Sequence, residues 1–158
     1  MRPRFVADSN VGRLARWLRA LGYDADFRGN IKDADLVQLA LAERRILLTR
    51  DLDLTHRRVI TSGLLRAVLV RSDRVQEQLR QVVSELGLTP ELALTRCIEC
   101  NVELEPRPPA VVAVRVPAYV RATQQRYSEC PLCARVYWAG THSLRMQERL
   151  VRAVDAVV

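Results

Sequence analysis

Four cysteines in two C-x-x-C pairs, Cys97-Ile-Glu-Cys100 and Cys130-Pro-Leu-Cys133, constrain this chain more than any other feature. Two residues between cysteines put both sulfurs on one turn, and two such turns complete a tetrahedral zinc site. The 29 residues between the pairs leave room for a long hairpin. Two disulfides, or redox-active thiols, are the competing readings. The opening run Met1-Arg-Pro-Arg-Phe-Val-Ala-Asp8 reaches an acid before any apolar stretch develops, so no secretory leader is expected. A cytoplasmic, reducing setting follows as the expectation, and disulfides are rare there. With all four positions Cys, no place is left for water, and the zinc is expected to be structural. Zinc on four thiolates lowers the formal net charge from +7 to about +5.

Ahead of the cysteines, short apolar runs alternate with helical patterns. Strands are expected at Arg4 to Ala7, Tyr23 to Arg28, Ile46 to Thr49 and Ala67 to Val70. Between them, Val11, Leu14, Ala15, Leu18 and Leu21 fall at helical spacing, with Ser9 or Asn10 as cap and Gly22 as stop. A second helix is capped by Asp33 or a neighbour. Leu52 to Ser62 forms a third, and a fourth begins near Ser72 or Asp73 and stops at Gly87. This order predicts a parallel sheet with helices on both faces. After Pro90 the composition changes. Glu105-Pro-Arg-Pro-Pro109 is incompatible with a helix interior, and the cysteine region reads as short strands and loops. Ser143 to Val158 closes the chain as an amphipathic helix, with Met146, Leu150, Val151, Val154 and Val158 on one side. Three units are expected: residues 1–92, 93–141 and 142–158, the last packing back on the body. The longest uncharged stretch, Val136 to Leu144, is far too short for a membrane span.

The acids mark a site. Asp8 follows the first strand, and Asp51 follows the third in Thr49-Arg-Asp-Leu-Asp53. Parallel strands bring both to the carboxyl edge of the sheet, where open α/β sheets bind ligands. Asp33 starts a helix that enters from the same side, and Asp53 lies two residues past Asp51. Asp8, Asp33 and Asp53 each also suit a helix cap. Four carboxylates facing one cleft would repel one another unless a hard cation such as Mg²⁺ or Mn²⁺ sat among them. The charge of the chain rests on 24 arginines against one lysine, Lys32. A polyanionic partner accounts for that excess, and so does a GC-rich genome. Of the two histidines, His56 is expected on a helix surface and His142 beside the ribbon motif.

Taken together, these motifs resemble a known group. Asp33-Ala-Asp-Leu-Val-Gln-Leu-Ala-Leu-Ala-Glu-Arg-Arg-Ile-Leu-Leu-Thr-Arg-Asp-Leu-Asp53 is similar to the active-site stretch of PIN-domain ribonucleases. Phe5-Val-Ala-Asp8, Gly12-Arg-Leu-Ala-Arg-Trp-Leu-Arg-Ala-Leu-Gly-Tyr23 and Cys130-Pro-Leu-Cys133-Ala-Arg-Val-Tyr-Trp-Ala-Gly-Thr-His142 resemble the Mut-seven carboxy-terminal RNase domain family. The resemblance spans nearly the whole chain. It implies a PIN-like three-layer α/β/α domain with a parallel sheet, then a four-Cys zinc ribbon and a C-terminal helix. It also implies a metal-dependent ribonuclease, an endonuclease, with RNA as partner. Asp8, Asp33, Asp51 and Asp53 match the family's catalytic acids, with Asp8 and Asp51 the main ligands of Mg²⁺ or Mn²⁺. The further Glu of many PIN nucleases has only Asp24 and Asp26 in its interval here, so the acidic cluster is reduced.

Arg13, Arg16 and Arg19 on the first helix, with Arg50 beside Asp51, are the candidate RNA contacts; a solvated helix face is the alternative. Two other functions stay open. One is a non-catalytic RNA-binding or ribosome-associated protein, and the other is the toxin of a toxin–antitoxin pair.

Overall fold

A computed structural model describes residues 1–155, apart from the side chains of residues 141–143, 151 and 153–155. Strands of three or four mostly apolar residues build its centre. β1 (Phe5–Ala7), β2 (Ala25–Phe27), β3 (Ile46–Thr49) and β4 (Ala67–Leu69) form one parallel sheet in the order β2-β1-β3-β4. In register, Phe5 stands between Ala25 of β2 and Ile46 of β3. Strand side chains alternate between faces, and two cores result. Phe5, Ala7 and Leu48 pack under α1 (Gly12–Ala20) and α5 (Val75–Leu86). Val6 and Leu47 pack under α2 (Asp33–Ala42) and Leu54 of α3 (Leu52–Thr55). This is the expected three-layer α/β/α arrangement.

The chain leaves β1 toward β2 and leaves β3 toward β4. The strand order therefore reverses between the two central strands, and the crevice at their carboxyl ends lies at this switch point. Two local expectations change. Asp8, not Ser9 or Asn10, caps the first helical segment, because Ser9–Val11 forms a separate 3-10 turn ahead of α1. The run after β3 is two short helices, α3 and α4 (Arg58–Thr61), broken by the extended backbone of Arg57.

Glycine stops α1 and α5 as expected. Gly22 takes φ +85 while Tyr23 N donates to Leu18 O at 3.0 Å, closing a Schellman turn. α2 ends in the same way, but on Arg44 at φ +53, with Arg45 N on Ala40 O at 2.8 Å.

Beyond the sheet, β5 (Glu105–Arg107), β6 (Tyr127–Glu129) and β7 (Val136–Tyr137) form a small antiparallel sheet. The connection from β5 to β6 is not a bare loop. It holds α6 (Pro109–Val112), a 3-10 turn and α7 (Ala118–Thr123), whose Val112 and Val120 pack with Val116 and Tyr127. Pro109 stands at the start of α6, where its missing N–H costs nothing and its fixed φ suits a helix. α8 (Thr141–Asp155) starts two residues earlier than the periodicity indicates. Its Leu150 enters the α1/α5 core, and its Gln147 Oε1 accepts from Leu92 N at 2.9 Å. The side chains of Val151, Val154, Val158 and His142, named above from their spacing, lie outside the described set.

Candidate active site and metal centre

Asp8 leaves the end of β1 and is 5% exposed. Its Oδ1 accepts from Ser9 N at 2.7 Å, and its Oδ2 accepts from Thr49 Oγ1 at 2.7 Å. Thr49, the last residue of β3, is fully buried, and its Oγ1 also accepts from Asp51 N at 3.0 Å. One hydroxyl thus ties together the two strand ends and the two acids that follow them. Asp51 caps α3, its Oδ1 accepting from Asp53 N at 2.9 Å and Leu54 N at 3.3 Å. Its Oδ2 is left outside the cap. Each carboxylate oxygen has two lone pairs. Asp8 and Asp51 therefore keep acceptor capacity, and oxygen donors suit a hard divalent cation.

The other two acids stand further out. Asp33 is the first residue of α2 and not its cap, which is Lys32. Its Oδ2 lies 3.9 Å from Arg57 Nη2. Asp53 is exposed in the first turn of α3. Among the described residues, the one cluster of three or more Cys, His, Asp or Glu side chains close enough to share a metal ion is the four cysteines. Asp24 and Asp26 do not join Asp8. Asp24 sits at the opposite, amino edge of the sheet, paired with Arg45 at 2.6 Å and Arg4 at 3.2 Å, and Asp26 pairs with Arg28 at 3.0 Å.

The arginines divide. Arg13 is exposed and makes no ion pair or hydrogen bond among the described residues, and Arg50 beside Asp51 is exposed as well. Arg16 is half-exposed and pairs with Glu99 at 2.7 Å. Arg19 differs from the other three. It is 6% exposed, and it donates to Ala25 O at 2.8 Å, Ile98 O at 2.9 Å and Glu99 O at 3.2 Å. Three residues advance a helix by about 300°. Arg19 therefore lies about 120° around α1 from Arg13, turned toward β2 and the first cysteine turn.

All four cysteine sulfurs lie within 4.8 Å of one another, and none is in a disulfide. Cys97 Sγ and Cys133 Sγ are 3.8 Å apart, the edge of a tetrahedron with a metal–sulfur distance of about 2.3 Å. The two turns repeat each other. Cys97 N donates to Val102 O at 2.9 Å and Cys130 N to Arg135 O at 3.0 Å. Asn101 N and Ala134 N both close onto the first cysteine's carbonyl at 2.9 Å, and both residues take φ +63. Amides of Cys100 and Cys133 point at the sulfurs of Cys97 and Cys130, at 3.4 and 3.5 Å.

Protonation follows from this crowding. Desolvation raises Cys97, yet the Tyr137 hydroxyl at 3.2 Å and the amides of Cys100 and Glu99 outweigh it and bring the thiol down to about 7. Cys100 is pushed up to about 12, first by desolvation and then by its neighbouring thiols. Cys97 thus holds its thiolate readily, whereas Cys100 resists ionisation. Four close cysteines of this geometry can hold a metal such as zinc.

Three residues of these sites carry no role in the sequence pattern: Thr49, although it opens the motif that holds Asp51 and Asp53, Tyr137 and Asn101. Asn101 Oδ1 accepts from Ala25 N at 2.9 Å, and its Nδ2 donates to Asp24 Oδ1 at 2.7 Å. Asn is one of the few non-glycine residues at home at positive φ, and its place directly after Cys100 is the signal that could have found it.

No helix among the described residues is long and apolar enough to cross a membrane. Comparison with curated proteins and with solved structures finds no match. The family model described as Mut7-C RNAse domain matches residues 3–150. The chain therefore belongs to the Mut7-C RNAse domain family, and with it to a ribonuclease type of function whose substrate class is RNA.

Proposed function

We propose that this protein is a metal-dependent endoribonuclease that hydrolyses RNA phosphodiester bonds at the carboxyl ends of β1 and β3. The observation that carries this reading is the Asp8–Thr49–Asp51 bridge at the switch point of the sheet. Asp8 and Asp51 would hold Mg²⁺ or Mn²⁺, with Asp33 and Asp53 flanking them. When bound, such an ion supplies a water of lowered pKa and charge to stabilise the leaving oxygen. Thr49 and Ser9 hold the Asp8 carboxylate in one orientation, so no reorganisation is needed at the moment of reaction. Arg13 and Arg50, both exposed, supply positive charge for the RNA backbone.

The cysteine cluster serves a structural zinc in this reading, since all four positions are sulfur. The boundaries at 92 and 141 separate the nuclease unit, the ribbon and the closing helix. One observation favours a non-catalytic RNA-binding protein instead: the four aspartates do not gather as closely as the cysteines do.

Cleavage of RNA by the purified protein in Mg²⁺ or Mn²⁺, beside Asp8→Asn and Asp51→Asn, decides between the two. The ribonuclease reading expects cleavage that is lost in both variants. Cleavage that survives both indicates another site or a contaminant. RNA binding with no cleavage by the unaltered protein supports the second reading.

A further inference from the structure

A groove of 560 Å³ opens beside Asp8, starting at Ser9, whose amide holds the Asp8 carboxylate. It runs between the starts of α1 and α5 and ends at Glu99 of the first cysteine turn. Three residues of its lining bear on what it could hold. Phe27, the last residue of β2, is 36% exposed there, although it is among the largest apolar side chains of the chain. Arg13 lies on the same wall with no acidic partner among the described residues. Gln78 is 4% exposed and anchors its amide nitrogen on Ser72 O at 2.9 Å, while its Oε1 accepts nothing from the described residues.

Gly12 explains how the ring is held. A Cβ built on Gly12 would stand 2.7 Å from Phe27 Cζ and 2.9 and 3.0 Å from its Cε atoms. Distances this similar put the built Cβ over the ring near Cζ, so one face of Phe27 rests on the Gly12 backbone and a stacking partner has only the opposite face. Gly12 has φ −62, an ordinary helical value, so backbone freedom does not require a glycine there. What it provides is room for Phe27.

We propose that this groove is a nucleobase subsite. An unpaired RNA nucleotide adjoining the scissile phosphate stacks its base on Phe27, its backbone phosphate meets Arg13, and Gln78 Oε1 accepts from the base edge. The proposal rests on the ribonuclease reading for the position of that phosphate. An aromatic ring with a neighbouring guanidinium is how single strands are held without strict sequence preference. A base inside a duplex cannot present its face to Phe27, so the site selects unpaired RNA. Of the groove's other charges, Arg16 is balanced by Glu99 and Arg19 is engaged by carbonyls, and Asp73 lines the α5 side. Arg13 is thus the charge available to a phosphate.

The test is fluorescence of a short single-stranded RNA carrying one 2-aminopurine, titrated with the zinc-loaded protein without added Mg²⁺ or Mn²⁺. Stacking on Phe27 quenches the probe. Phe27→Leu is expected to abolish the quenching and weaken binding about tenfold, and Phe27→Trp is expected to retain both. Gly12→Ala displaces the ring without removing charge and is expected to reduce quenching while leaving thermal stability unharmed. The same sequence as a duplex is expected to show no quenching. Phe27→Leu that binds and quenches like the unaltered protein overturns the proposal, whether or not RNA is cleaved. Quenching that depends on Phe27 in a protein that never cleaves RNA overturns the ribonuclease reading and leaves the subsite standing.

Discussion

Thr49 uses one hydroxyl for two bonds, donating to a buried carboxylate and accepting from the amide of Asp51. Replacing it with Val keeps the shape and removes both. Asp8 Oδ2 is then left without its donor, and loss of a bond to a charged group costs about 1.5–3 kcal/mol. Thr49→Val is expected to lose about that much in denaturant unfolding, and Thr49→Ser to recover most of it. Equal stability of the Val variant would show that the bridge carries no free energy. Asp24 makes a separate prediction at the far edge of the sheet. Burial alone would raise its carboxyl, but hydrogen bonds from Arg45, Asn101 and Arg4 outweigh that and hold it at about 2, below the ordinary 3.8. A depressed carboxylate stabilises the fold fully above its unfolded pKa, and that stabilisation is lost as pH falls toward 2. The difference in unfolding free energy between the protein and Asp24→Asn is therefore expected to shrink between pH 4 and 2, by about 2 kcal/mol. A difference that stays constant over that interval would place the stabilising charge elsewhere.

Among the elements, those with strong periodicity are legible in the sequence. α1 and α5, with apolar residues at helical spacing and glycine after them, lie where their residues indicate. So do β1, β3 and β4, because three apolar residues in a row suit a sheet buried on both faces. The misses have identifiable causes. The run after β3 has helical composition throughout, and only the extended backbone of Arg57 breaks it in two. The prolines before α6 look like a barrier to a helix until one of them occupies its first position. Arg19 looks equivalent to Arg13 and Arg16 on α1, and its partners Ile98 and Glu99 lie about 80 residues further on, beyond any local pattern. The acids after β1 and β3 are legible because parallel topology puts them at one edge, whereas the ion pair of Asp33 with Arg57 is not. α2 shows what glycine does at the other helix ends. Its stop, Arg44, holds φ +53, which costs a residue with a Cβ about 1 kcal/mol. Arg44→Gly is expected to raise unfolding free energy by about 0.5 kcal/mol, since greater freedom of the unfolded chain offsets part of the relief. A destabilised variant would mean that the Arg44 side chain contributes something its backbone does not reveal.

At the scale of the whole molecule, the first cysteine turn is fastened to the parallel sheet. Ala25 N, on edge strand β2, has Asn101 Oδ1 as its partner, and Arg19 Nη1 finds its acceptors on Ile98 and Glu99. Both attachments need residues 97–101 to keep their turn, which backbone hydrogen bonds close around one pair of the clustered sulfurs. A metal on four sulfurs couples its binding to the folding of the turns that carry them, so its removal is expected to loosen the first turn. A buried guanidinium would then lose two of its three carbonyl partners, and the Ala25 amide would lose the Asn101 oxygen. The effect should travel one way. β3 and β4, remote from the ribbon, keep their ladder, while β2 and the end of α1 loosen. Chelation of the metal-loaded protein, followed by amide hydrogen exchange, is expected to release Ala25 and the C-terminal turn of α1 while Leu47 and Leu48 stay protected. Asn101→Ala, with the metal in place, should reproduce the release at Ala25 and leave the α1 turn protected, because Arg19 keeps its carbonyls. If β2 stays protected after chelation, the sheet holds its edge without the ribbon, and the two sheets are stable independently of each other.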